Sequence, residues 1–368
     1  MSPGLERHIA AYGLPGHTAA FPDQPLADTE WQALLRVVDE QRLAGLLHWA
    51  VDDGAFPVDD EQRQAVADLH LRWCAAALSL ERRLLELDAA FGSASIDFLV
   101  LKGTAVAHLV YPDPALRLFG DVDLLFPAER FEQALEVARD LGYVRPAEEA
   151  RPGFDRRFGK GATLKGPTGN ELDAHRTLVF GTFGFAIDLD ELFRSATAFE
   201  LGGRKLRALG PETRLLHACY HASLGDSRPR YSSVRDIAQM LTTGTHDPDR
   251  VLALAREWQA QAVLARAFAL CRDFLGVAVD GPLVEALNGY RPTRREQRAI
   301  DSYTGPNRRF AHKVFASLPY LHGMRDRAAF VGAMVLPSRG FAESYGGRAG
   351  LAWIRRGLRS IRAAGGRR

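Results

Sequence analysis

Between Phe98 and Phe126 the chain reads FLVLKGTAVAHLVYPDPALRLFGDVDLLF, and its hydrophobic spacing changes period within that one stretch. Residues 96–101 form a short apolar run ending at Lys102-Gly103, and residues 104–110 carry a helical pattern, so the reading is strand, turn, helix. A turn of this kind aims its amides and a helix N-terminus at one crevice, which suits phosphate oxygens. In Asp121-Val122-Asp123-Leu124-Leu125-Phe126 a period of two puts both carboxylates on one face, while Val122 and Leu124 enter the core. Two carboxylates at a buried edge repel unless a cation compensates, so Asp121 and Asp123 are expected to bind metal.

The string Asp-x-Asp alone decides little, because it recurs at Asp188/Asp190 and Asp247/Asp249. Those copies stand at a helix start and around Pro248, where aspartates serve as caps and turn formers. A phosphate seat beside a metal seat fits nucleotidyl transfer, where two divalent ions about 3.5–4 Å apart stabilise attacking and leaving oxygens. Hard oxygen ligands suit magnesium. A third carboxylate is sought on a neighbouring strand, and Asn170-Glu171-Leu172-Asp173-Ala174-His175 supplies Asp173, with Glu171 as the alternative. Glu171, Asp173 and His175 share a strand face. The turn Gly166-Pro167-Thr168-Gly169-Asn170 would join 157–165 to 171–178 as a hairpin, bringing Lys165 and His175 near the triphosphate or the acceptor. Arg117, shortly before the acid pair, is expected to reach phosphates with a bidentate fork or to shape the loop through a salt bridge.

These residues resemble the nucleotidyltransferase superfamily with the DNA polymerase beta fold, whose signature is a Gly-Ser or Gly-Gly turn opening a helix, an acidic pair on the next strand and a later acid. Leu101-Lys102-Gly103, Tyr111-Pro112, Arg117, Gly120-Asp121-Val122-Asp123-Leu124-Leu125 and Leu172-Asp173-Ala174-His175 resemble more closely a bacterial branch of uncharacterised nucleotidyltransferase family proteins. That branch also carries a His-rich helix and an Arg-Asp-Ile helix, matched here by Leu215 to His221 and by Val234-Arg235-Asp236-Ile237. The resemblance covers roughly 96–241. It implies an α+β fold: a polymerase beta-like core with a small mixed sheet flanked by helices, and helical regions before and after it. It also implies that Asp121, Asp123 and Asp173 are catalytic and bind two Mg2+, that Lys102, Gly103 and Thr104 hold the triphosphate, and that His217, Tyr220, His221, Arg230, Arg235 and Asp236 form a second wall. The turn departs from the superfamily, since Lys-Gly-Thr replaces Gly-Ser. A branch of toxins acting on tRNA has Lys-Gly-Gly-Thr followed by S-x-D-x-D, and this chain lacks the second Gly and the Ser.

With 368 residues, 46% of them hydrophobic and 25% charged, the chain can bury a sizeable core and suggests several domains. The expected division is a helical region over 1–92, a catalytic core over 93–210, a helical domain over 211–336 and an Arg-rich tail over 337–368. In the first region, a segment capped at Asp28-Thr29-Glu30 runs through Leu34, Val38 and Leu46, followed by a long amphipathic helix over 60–91. Cys74, Cys219 and Cys271 lie far apart, which excludes a disulfide framework and a structural zinc site and suits a reducing cytoplasm. No apolar leader and no run of membrane-spanning length is present, so neither export nor a membrane anchor is expected.

Net charge is only +2, yet from Arg339 onward eight arginines face one acid, Glu343. The stretch 353–362 reads as a basic amphipathic helix for RNA or a membrane surface, or as a packed terminal helix. The expected function is metal-dependent transfer of a nucleoside monophosphate from a triphosphate to a hydroxyl of a small molecule or a peptide or protein. The alternatives are a toxin-like enzyme acting on tRNA and a catalytically silent nucleotide-binding scaffold. Serine-hydrolase and dehydrogenase readings fail, as neither G-x-S-x-G nor G-x-G-x-x-G occurs.

Overall fold

The computed structural model describes residues 4–225, 228–304, 310–321 and 323–344. Six strands form one mixed sheet: β1 (Leu99–Val100), β2 (Val122–Leu125), β3 (Gly161–Lys165), β4 (Glu171–His175), β5 (Thr197–Leu201) and β6 (Arg204–Ala208), in the order β3-β4-β2-β1-β6-β5. β2 runs parallel to β4, and β1 parallel to β6, while β1 with β2, β3 with β4 and β5 with β6 are antiparallel. Helices flank the sheet, giving a mixed α+β architecture.

Period-two alternation decides what each face of the sheet does. Val100, Val122, Leu124, Leu172, Ala174 and Leu206 pack in one cluster with Leu84, Leu87 and Phe91 of the helix Asp60–Ser93 and with Phe131 and Leu135 of the helix Phe131–Asp140. Leu99, Leu101 and Leu125 join a different cluster, which holds Trp31, Leu34 and Leu47 from the N-terminal helices together with Leu215, Ile237 and Leu264 from the C-terminal ones. Helices before and after the sheet therefore share one core. Arg235 ties it together, donating from Nη1 to the carbonyls of Ala10 and Tyr12 at 2.7 and 2.6 Å.

Several elements differ from the sequence reading. The segment expected as one run over 28–46 is two helices, Asp28–Glu40 and Ala44–Asp52, because Arg42 between them adopts a left-handed backbone with φ of 58°. The expected hairpin is shorter: Phe154–Arg157 forms a helical turn, and the ladder begins at Gly161. The β5–β6 hairpin, closed by Gly202-Gly203 with φ of 53° and 74°, was not anticipated. The helix expected over 248–275 breaks at Gln259 into Pro248–Glu257 and Gln261–Leu270. Of the basic tail, residues 337–344 are described, ending in the helix Arg339–Ser344, and the expected helix over 353–362 lies outside the described residues. No described helix is long and apolar enough to cross a membrane.

Candidate active site

The turn and helix stand where the sequence puts them, with Thr104–Val110 helical and Gly103 preceding it at φ 54°, ψ −116°. That backbone conformation is open to glycine and strained for other residues. Downstream, Tyr111 and Arg117 frame a loop that leads to Asp121. Arg117 gives its fork to Asp236, with Nη2 at 2.7 Å from Oδ2 and Nε at 3.2 Å from Oδ1, and the Tyr111 hydroxyl donates to the same Oδ1 at 2.8 Å. Burial opposes the charge on Arg117, but Asp236 outweighs it and raises its pKa. The salt-bridge alternative for Arg117 thus describes its geometry, while the residue still lines the cleft.

Parallel pairing of β2 with β4 sets Asp123 directly beside Asp173, and antiparallel pairing sets Thr163 on the far side of Asp173. Thr163 Oγ1 donates to Asp173 Oδ1 at 2.6 Å. Two residues along the strand, His175 Nε2 meets Asp123 Oδ1 at 2.9 Å. Asp123, Asp173 and His175 each offer a ligand atom, and those atoms lie within 4.8 Å of one another. Asp121, just before β2, joins this group through Lys102, whose Nζ lies 2.9 Å from Asp123 Oδ2 and 3.3 Å from Asp121 Oδ2. The ammonium of Lys102 therefore sits between the two carboxylates of the acid pair.

The charges follow from this packing. Burial alone would raise the pKa of Asp123, but the Lys102 ammonium and the His175 hydrogen bond hold it well below the usual carboxylate range. Burial works against the charged form of Lys102 too, and the two aspartates overcome it and raise its pKa. His175 is shifted down, chiefly by burial and then by Lys160, so its Nε2–H donates and Nδ1 keeps a lone pair with no partner among the described residues. Asp123 Oδ2 touches Lys102 without a well-directed hydrogen bond. A buried carboxylate oxygen left in this state, with two more acids around it, fits a hard divalent cation.

The C-terminal helices close the other side. Burial pushes His217 down to about 3, with His175 and Lys102 adding to the effect, and His221 is shifted well below its ordinary value by burial, Lys102 and His217. His221 begins a π-helical turn, His221–Gly225, and lines a cleft with Arg42, Lys102, Arg117, Asp121, Arg230 and Ser233. Tyr220 and Arg235, expected in this wall, are elsewhere. The Tyr220 ring packs against Phe183 at 5.9 Å, and Arg235 serves the N-terminal carbonyls. Lys165 is also away from the acid cluster, because it pairs across the hairpin with Glu171, its neighbour in register.

Three residues at the site escape the sequence reading. Arg42 reaches Asp121 from the N-terminal helices at 3.9 Å. The half-buried Lys160, just before β3, is shifted down by burial and by Lys102 against the pull of Asp123 and Asp173. Thr163 is visible only as an alternating polar position on β3, a weak signal.

A family model described as an uncharacterised nucleotidyltransferase matches residues 27–276. The chain belongs to this family. The protein is accordingly a nucleotidyltransferase, and the matched span holds Arg42, the turn, all three acids and the histidine helix. Among solved structures it is similar to ANT(2'')-Ia in complex with adenylyl-2''-tobramycin, at 16% identity over 50% of this chain and 99% of that one, with a TM-score of 0.37. It is similar as well to an antigenic nucleotidyltransferase-like protein from Paracoccidioides brasiliensis, at 20% identity over 57% of this chain and 95% of that one, with a TM-score of 0.34. No curated protein matches the chain.

Proposed function

We propose that this nucleotidyltransferase moves a nucleoside monophosphate from a nucleoside triphosphate to a hydroxyl of a small molecule or of a peptide or protein, with magnesium as its metal. The observation that carries the reading is the side-by-side register of Asp123 and Asp173 on parallel strands, with Asp121 joined to them through one ammonium. Asp121, Asp123 and Asp173 would hold the ions. Bound there, divalent cations neutralise the phosphoryl oxygens and stabilise the attacking and leaving oxygens.

The side chains divide the remaining work. Asp173, fixed by Thr163, is the carboxylate that accepts the proton of the acceptor hydroxyl. His175 holds Asp123 in place through Nε2. Lys102 lines both the acid cluster and the cationic cleft, so its ammonium is in reach of phosphate when the acids take a metal. Gly103 and Thr104 bring the backbone of the turn up to the same oxygens.

The test is incubation of the protein with each alpha-labelled triphosphate, magnesium and cell extract, followed by identification of the labelled product. Transfer of label by wild type and its loss in Asp123→Asn and Asp173→Asn, both folded by circular dichroism, is the expected result. Unchanged transfer by folded Asp123→Asn would refute the reading.

A further inference from the structure

Arg42 belongs to none of the elements that carry the acids, yet its guanidinium stands at their edge. Its backbone, at φ 58°, lies in a region that costs a non-glycine residue energy. Strain of this kind persists where surrounding structure fixes it, and it gathers at functional sites. Here it closes the helix Asp28–Glu40, the Arg42 amide donating to the Asp39 carbonyl at 3.0 Å and the Leu43 amide to the Val38 carbonyl at 2.8 Å, and that helix end aims the side chain at the acids. The guanidinium lies over the Trp73 ring, 5.8 Å from its centroid, and the Trp73 indole is itself held by Asp39 at 2.8 Å.

The approach of Arg42 to Asp121, at 3.9 Å, is too long for a hydrogen bond. On its way it passes Gly120, where a Cβ would stand 3.1 Å from Arg42 Nη2. The residue before the acid pair thus has no side chain where the arginine passes. Arg42 lines the cleft with Lys102, Arg117 and Arg230, and burial lowers its pKa, with Arg117 and Arg230 adding to this and Asp121 opposing it. Arg117 is neutralised by Asp236, and Lys102 by the acid pair. A divalent ion taken by Asp121 and Asp123 would remove the counter-charge from Lys102 and Arg42 together. The cleft would then hold surplus positive charge, which a multiply charged anion relieves.

We propose that Arg42 is a triphosphate-binding residue contributed by the N-terminal helices, receiving the terminal phosphate oxygens beside Lys102, with Gly120 kept small to let it through. This rests on the nucleotidyl-transfer reading above. The probe is inorganic triphosphate with magnesium, titrated calorimetrically into the full chain. Asparagine tolerates the left-handed backbone, so Arg42→Asn removes the guanidinium without adding strain. Its affinity should fall about tenfold or more, the usual weight of charge-assisted hydrogen bonds, while its Tm stays at or above that of wild type. Gly120→Ala should weaken binding as well, with no change of charge. Equal affinity in wild type and Arg42→Asn overturns the role of Arg42 alone, as does a Tm loss of several degrees, which marks a merely structural arginine. Failure of wild type to bind triphosphate in magnesium would sink the nucleotidyl-transfer reading with it.

Discussion

Replacing Lys102 by methionine removes the one ammonium that bridges Asp121 and Asp123 and keeps most of the side-chain volume. Asp123 has no exposed side-chain surface, so it feels the loss most; Asp121 is 21% exposed and keeps both water and the neighbouring Arg42. Removing one partner of a buried ion pair costs about 3–5 kcal/mol. The retained bond from His175 to Asp123 places the expected cost near the lower end, at about 3 kcal/mol. A divalent ion is the natural replacement for the lost charge. At a hundred times its dissociation constant, a ligand that binds only the folded state adds about 2.7 kcal/mol, which nearly cancels the deficit. Urea unfolding in EDTA should therefore show Lys102→Met about 3 kcal/mol less stable than wild type, and saturating magnesium should restore most of that difference while changing wild type far less. A variant as stable as wild type in EDTA, or one whose deficit magnesium leaves untouched, would refute the idea that the ammonium stands in a cation site.

Other outcomes follow from the same geometry. Asp236→Ala strands the buried Arg117 guanidinium and should cost about 3–5 kcal/mol in urea unfolding, whatever its effect on transfer. His217, whose folded pKa of about 3 lies below its unfolded 6.5, is held neutral, so the unfolded chain binds the extra proton between those values. Stability is then complete above pH 6.5 and falls as pH drops toward 3, by about 1.4 kcal/mol per unit for this one group; His217→Phe should show a shallower slope in urea midpoints between pH 7 and 5. Gly103→Ala meets no atom closer than 3.5 Å, so its penalty is backbone strain alone. It should cost about 1–3 kcal/mol and weaken triphosphate binding in calorimetry, and a variant with wild-type stability and affinity would show that the turn does not need its glycine.

Much of the site was legible because strands write their faces into the sequence. Val122 and Leu124 alternate with Asp123, and Leu172 and Ala174 with Asp173, so each acid could be assigned to the face away from the apolar cluster. Register was not legible from either strand alone, since nothing in the two segments states that Asp123 falls opposite Asp173 rather than Glu171. Arg42 was hidden for a different reason. No Gly or Pro stands between Asp28 and Ala44, and the break at Arg42 closes on the helix's own carbonyls, the Arg42 amide donating to Asp39 at 3.0 Å and the Leu43 amide to Val38 at 2.8 Å, beside the Gln41 side chain that accepts from the Tyr231 amide at 3.1 Å. Lys160 stands between Gly159 and Gly161, where no periodicity assigns a face. The Gly202-Gly203 turn between Phe199 and Leu206 was a readable hairpin signal that lay just before the helical region read from 211 onward.

The parallel union of β2 with β4 also sets a schedule for the newborn chain. Asp123 leaves the ribosome 50 residues before Asp173, an interval of about 3–10 s at ordinary translation speeds. Its nearer partner, Lys102, has already emerged, and β1 lies antiparallel against β2 without waiting for anything downstream. The ammonium can thus chaperone the acid through the seconds in which an unguarded carboxylate would resist collapse, and only after β4 has docked do Asp173 and His175 arrive to complete the cluster.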